Sequence, residues 1–142
     1  MLSDKEDTRV ELHKGRYVYR ILLKDIIAEV KKNSEVLLIG VDEEILLKEV
    51  EPLYLKRYFD LIKNKNIKEK VIIKKGKKTH NIENVEYKEI EESYIGKTEQ
   101  CIYSNKVAIF ILGNPYHLII IENKEVAETY RKQFSLLWSV AT

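Results

Sequence analysis

The segment from Gln100 to Thr142, QCIYSNKVAIFILGNPYHLIIIENKEVAETYRKQFSLLWSVAT, constrains the fold more than any other part of this sequence, because its apolar spacing changes period at fixed points. Two apolar runs, Cys101 to Tyr103 and Val107 to Leu112, are joined by Ser104-Asn105-Lys106, a polar tip whose Asn tolerates the left-handed backbone of a tight hairpin. Asn114-Pro115 breaks the chain, and Leu118 to Ile121 reads as a buried strand. Asn123 is placed to cap a helix, with Glu125 favourable in the first turn. Val126, Tyr130, Phe134, Leu137, Trp138 and Ala141 share one face of that helix, so Phe134 and Trp138 are expected to anchor it on a sheet.

Upstream, helical and strand periods alternate. A short strand around Val10 to Leu12 leads through Gly15 to a helix near Arg16 to Lys32, where Val18, Leu22, Ile26 and Val30 recur at four-residue spacing before Asn33-Ser34 ends it. Val36 to Val41 has the continuous apolar character of a strand covered on both faces. Pro52 divides the next stretch into a short helix from Glu43 and a longer one to about Asn64, with Leu55, Tyr58, Phe59 and Ile62 inward. Strands follow at Lys70 to Lys74 and Val85 to Ile90, then a loop through Tyr94-Ile95-Gly96. This order predicts an α/β domain of three layers, a mixed sheet with helices on both faces. With 142 residues, 44% of them hydrophobic, one domain over 1–142 is the expectation, residues 1–8 forming a flexible tail.

The C-terminal segment resembles the effector domain of TrmB-type archaeal transcriptional regulators, which combine a winged helix with a phospholipase-D-like domain. The matching residues are the hairpin at Asn105-Lys106-Val107, the junction Ile120-Ile121-Glu122-Asn123-Lys124-Glu125-Val126-Ala127, and Tyr130-Arg131-Lys132-Gln133-Phe134 with Leu136-Leu137-Trp138. A weaker match runs from Gly15 through the first helix to Val36-Leu37-Leu38-Ile39-Gly40. The resemblance implies a single phospholipase-D-like unit that senses a small molecule such as a sugar and pairs as a homodimer. The sequence shows no helix-turn-helix ahead of Val10, so DNA would be reached only through a separate DNA-binding domain, if one exists.

The chemistry of that superfamily can be tested directly. Its active motif is His, any residue, Lys, four residues, Asp; the His takes the phosphoryl group and the Lys holds phosphate oxygens. Two places after His13, His80 and His117 stand Gly15, Ile82 and Ile119, so no histidine qualifies. If Ser104 stands where the Asp would be, Lys97 and Glu99 stand where the His and Lys would be. Phosphodiester cleavage by this route is therefore not expected, and no catalytic residue is assigned. The five glycines form no phosphate-cradling loop, and the single Cys101 and scattered His lack metal-ligand spacing, so no metal and no cofactor is expected. His117 reads as a structural or surface residue. Carboxylate runs such as Asp42-Glu43-Glu44 and Glu91-Glu92 are ordinary in a chain with 34% charged residues.

A net charge of +2 excludes a strongly basic nucleic-acid binder. A lone cysteine, a charged stretch from Met1 to Asp7 and no long apolar run lead to the expectation of a cytoplasmic protein without membrane contact. A ligand is expected at the C-terminal edge of the central strands, where open α/β sheets form a crevice. Gly40 there allows close approach, and Asp42 and Glu43 can accept hydrogen bonds from hydroxyls; Tyr94 or Tyr116 could stack on a sugar face. The simpler reading is that Asp42 caps the helix beginning at Glu43. From Lys63 to Lys78, eight lysines accompany one acid, Glu69, and an acidic stretch from Glu83 to Glu99 follows. Lys74, Lys75, Lys77 and Lys78 could form a phosphate-contacting patch; the plainer reading is a solvated helix end, an edge strand blunted by lysines and a polar turn at Gly76. Three functions follow in order: a non-catalytic ligand-sensing regulatory domain, a degenerate phospholipase-D-like scaffold for nucleic acid or a protein partner, and, last, a phosphoesterase with other residues.

Overall fold

Strand β2 (Glu35–Ile39) is buried on both faces, because Val36 and Leu38 point to one layer of helices and Leu37 and Ile39 to another. In the computed structural model, which describes residues 7–142, β2 lies inside a seven-stranded sheet. The other strands are β1 (Arg9–Lys14), β3 (Lys68–Lys74), β4 (Val85–Ile90), β5 (Glu99–Tyr103), β6 (Lys106–Ile111) and β7 (His117–Glu122), in the order β1-β7-β6-β5-β2-β3-β4. β2, β3 and β4 run parallel, and all other neighbours are antiparallel. The parallel pair β2 and β3 needs a crossover, supplied by α2 (Glu43–Glu49) and α3 (Pro52–Asn64), whereas β5 and β6 need only a tight turn. The expected mixed sheet with helices on both faces is the observed architecture.

Helix α1 (Val18–Glu29) joins α2 and α3 on one face, where Tyr19 stacks on Phe110 with ring centroids 4.0 Å apart. Helix α4 (Lys124–Val140) covers the other face through Ala127 and Phe134, with Val126, Tyr130, Leu137 and Trp138 packed around them. Asn123 caps α4 as its sequence position suggests, its side chain accepting the Val126 N–H at 3.0 Å. Trp138 stacks on Phe134 at 5.7 Å and carries Lys88 and Lys70 over its ring at 4.7 and 5.6 Å. Residues 1–6 of the expected tail lie outside the described residues; at its end, Thr8 Oγ1 accepts a hydrogen bond from Asn123 Nδ2.

Four expectations need correction. The hairpin tip is Ser104-Asn105, and its left-handed residue is Ser104 (φ +51°), not Asn105. Lys106 belongs to β6 and is buried, because its ammonium reaches Asp25 at 3.0 Å and Glu29 at 3.4 Å on α1. Burial opposes that charge, but the two carboxylates outweigh it and raise the Lys106 pKa. The strand carrying Lys70 and Lys74 is not an edge: β3 lies between β2 and β4, and β4 forms the edge. The first helix is also shorter than its periodicity suggests, since Val30 is already extended.

Candidate ligand cavity

The layer between the sheet and α1–α3 is not completely filled. Leu38 on β2 pairs with Cys101 on one side and Val71 on the other, and above these small or medium side chains lies a cavity of about 60 Å³. Its wall is mainly apolar, but three glutamates interrupt it: Glu43 at the start of α2, Glu69 on β3 and Glu99 on β5. Strand alternation places Glu69 on the same face as Val71, and Glu99 on the same face as Cys101, so both carboxylates point inward.

Each glutamate is held by a tyrosine hydroxyl. Tyr19 on α1 donates to Glu99 Oε2 at 2.7 Å, Tyr58 on α3 donates to Glu69 Oε1 at 2.5 Å, and Tyr87 on β4 donates to Glu43 Oε1. The other Glu43 oxygen meets His80. Burial raises the Glu69 carboxyl to about 7; the Tyr58 hydrogen bond opposes the shift and Glu43 adds to it. Burial also raises Glu99 to about 7, against the hydrogen bonds from Tyr19 and the Asp42 backbone, with Asp42 adding to the shift and Lys74 opposing it. The same burial pushes the hydroxyls of Tyr19, Tyr58 and Tyr87 and the Cys101 thiol upward, so these groups remain protonated donors. The arrangement is a hydrogen-bonded shell of acidic character around apolar space.

The candidates from the sequence meet this cavity unevenly. Glu43 lines it. Gly40 (φ +76°) sits beside it, where a Cβ would stand 3.0 Å from the Thr98 carbonyl oxygen, so its close approach serves the neighbouring backbone. Asp42 caps α2 by accepting from the N–H groups of Glu44 and Ile45 at 3.0 and 3.3 Å, and it also pairs with Lys77 at 3.4 Å. Tyr116 packs against Tyr19 and Phe110 and points its hydroxyl to Glu49 at 3.3 Å; Tyr94 is exposed in a 3-10 turn (Glu92–Tyr94). The cavity instead recruits Tyr19, Tyr58, Glu69, Tyr87 and Glu99, which sequence reasoning did not select. The signal for Glu69 and Glu99 was a single acid at an inward position of an otherwise apolar strand face.

Several lysines of the lysine-rich segment, besides Lys77, meet carboxylates from outside it. Lys63 meets Glu83 at 2.9 Å, Lys70 meets Glu35 at 3.4 Å, Lys74 meets Glu92 at 4.0 Å and Lys75 meets Glu91 at 3.5 Å. The acidic stretch that follows in sequence therefore folds back onto the basic one. Among the described residues no three His, Cys, Asp or Glu side chains are grouped to hold a metal ion, and no helix is long and apolar enough to cross a membrane.

No protein-family model and no curated protein matches this chain. Solved structures share its architecture. A phospholipase D family member, Nuc from Salmonella typhimurium, superposes with a TM-score of 0.66 at 13% identity, over 96% of this chain and 97% of that one. NucT from Helicobacter pylori gives 0.66 at 11% identity, over 96% and 99%. TrmBL2, an archaeal chromatin protein described as showing a novel mode of DNA binding, gives 0.64 at 17% identity, over 94% of this chain and 53% of that one. The chain thus spans about half the length of TrmBL2 and has a phospholipase-D-like fold.

Proposed function

We propose that this chain is a non-catalytic regulatory domain whose conformation or pairing responds to a small molecule held between the sheet and α1–α3. The observation that carries this reading is the cavity itself: an apolar space into which Glu43, Glu69 and Glu99 converge, each fixed by a tyrosine. In the register that places Ser104 at the motif aspartate, Glu99 stands where a phosphodiesterase of this fold would need a lysine for phosphate, and Glu99 is buried against Tyr19. A carboxylate there repels a phosphate. Regulation further requires that the ligand bind one arrangement better than another, since equal affinity shifts no population. In this reading the domain works in the cytoplasm as a homodimer, and any DNA contact is made by a separate domain. A cavity of about 60 Å³ is far below the several hundred Å³ typical of pockets for larger ligands, which favours a ligand smaller than a sugar.

The test is thermal unfolding of the purified chain against small amines, acids, sugars, nucleotides and short DNA duplexes at two salt concentrations. A melting temperature that rises with the concentration of one small-molecule class supports the reading, because selective binding to the folded state stabilises it. Stabilisation by DNA alone, vanishing at high salt, replaces it with the scaffold reading, for which the DNA binding of TrmBL2 is the analogy. Turnover of a generic phosphodiester, abolished by one side-chain change, replaces both.

A further inference from the structure

Strand β1 is an edge with little cover. Five of its six residues are exposed, among them Val10 and Leu12 at 64% and 62%. It pairs with β7, and among the described residues no strand lies on its other side. The Gly15 N–H donates to the Tyr116 carbonyl at 2.9 Å and continues the β1–β7 ladder. In an antiparallel pair the main-chain N–H and C=O of one residue point the same way and alternate along the strand. Arg9, Glu11 and His13 therefore share the β7 side with Gly15, whereas Val10 and Leu12 turn both groups to the open side. Side chains alternate too: Glu11 and His13 stand opposite Ile120 and Leu118 on the α1 face, and Val10 and Leu12 stand opposite Ile121 and Ile119 on the α4 face. Open main-chain groups beside bare apolar side chains are a template for another strand. Charges guard such an edge when equal charges meet across it. Here they alternate as Asp7, Arg9 and Glu11, so the strand is complementary to its own reverse.

We propose that β1 pairs antiparallel with β1 of a second copy of this chain, about a two-fold axis at Val10, joining the two seven-stranded sheets edge to edge. This inference rests on the homodimer in the reading above and names the surface that pairs. In this register Val10 exchanges both of its open main-chain groups with Val10 of the second copy, and Leu12 does so with Thr8 of the second copy. On the α1 face Arg9 stands opposite Glu11 of the second copy and Asp7 stands opposite His13, and the symmetry repeats each pair. On the α4 face Val10 lies against Val10, and Leu12 against the Thr8 methyl group. The neighbouring registers are poorer. An axis at Glu11 sets that carboxylate against itself, and an axis at Leu12 leaves Arg9 opposite Gly15 and Val10 opposite Lys14.

The experiment is sedimentation of the full chain over a concentration series, with the variants Arg9→Glu and Glu11→Arg alone and mixed. The native chain should dimerise. Each variant alone should raise the dimer dissociation constant about tenfold or more, because like charges then face each other at both symmetric pairs. An equimolar mixture of the two should recover association, since opposite charges meet again across the axis. Both side chains are exposed, and cooperative thermal unfolding of each variant shows that it folds. A second readout is amide exchange, which should slow at Val10 and Leu12 as the concentration of native chain rises, and stay constant at Arg9, Glu11 and His13. A native dimer whose affinity neither variant changes overturns the β1 surface and leaves the homodimer standing. Weakened variants that fail to associate on mixing overturn the register at Val10. A native chain that stays monomeric throughout the series overturns both surface and homodimer, and the ligand-responsive reading of the cavity keeps its separate test.

Discussion

Replacing Glu69 by Gln should stabilise this protein at alkaline pH and do so much less at acidic pH, because the cost of the native residue lies in its charge rather than its shape. Glu69 is raised from an ordinary 4.5 to about 7, chiefly by burial, with Glu43 adding to the shift and the Tyr58 hydroxyl opposing it. The folded state therefore holds a proton that the unfolded chain has released. Stability from this group is fully present below pH 4.5, declines as the pH rises from there to about 7, and is gone above that. Integrating the two titrations gives a difference of roughly 2 to 3 kcal/mol in the Glu69 contribution between pH 5 and pH 8, and glutamine has no such dependence. The variant loses the charge-assisted part of the Tyr58 bond, about 1 kcal/mol, which offsets some of the gain at pH 8. Urea denaturation followed by fluorescence of Trp138, which stacks on Phe134, reads the effect at both pH values. The expected signature is a change in the stability difference, variant minus native, of roughly 2 to 3 kcal/mol in favour of the variant from pH 5 to pH 8. A pH-independent difference, or a variant less stable than the native protein at pH 8, refutes the account of Glu69 as an uncompensated buried carboxylate.

Lys106→Met should destabilise the fold by about 2 kcal/mol in chemical denaturation, because Asp25 and Glu29 lose the ammonium between them, and adding Asp25→Asn should recover part of the loss. Gly40→Ala should cost at least about 1 kcal/mol by the same assay, since φ is +76° and the new methyl would meet the Thr98 carbonyl oxygen at 3.0 Å. Asn123→Ala should cost about 1 kcal/mol and increase amide exchange in the first turn of α4, whose Val126 N–H it caps.

The periods of the sequence made the layered sheet legible because they report which residues avoid water, and that pattern is local. The strand from Val85 to Ile90 and the longer helix ending at Asn64 occur where the spacing puts them, and Asn123 begins α4 because its side chain satisfies a free N–H. Lys106 defeated the same logic. A lysine between two polar residues and an apolar run reads as a turn, and only Asp25 and Glu29, contributed by α1 from far along the chain, make its burial favourable. The ion pairs of the lysine-rich segment were also out of reach of local patterns: some of its acids follow it in sequence and others, Glu35 and Asp42, precede it, and the pairing depends on how β2, β3 and β4 lie together.

The cavity was hidden for a related reason. The crevice rule directs attention to the loop after β2, and there it finds Glu43 together with two residues, Gly40 and Asp42, that serve the backbone of this turn. Glu69 and Glu99 lie within strands, where charge is normally assigned to the outward face. Their inward orientation follows from strict alternation with Val71 and Cys101, and it is tolerated because Tyr58, on the helix just before β3, and Tyr19, from a helix remote in sequence, bring hydroxyls to them. Such residues are expensive for stability alone, as the raised carboxyl pKa values show. A hydrophobic residue at position 69 would pack the same face without that cost. Glu69 and Glu99, which carry that cost without a packing reason, both border one space, and that coincidence is the physical ground for proposing the space as a site.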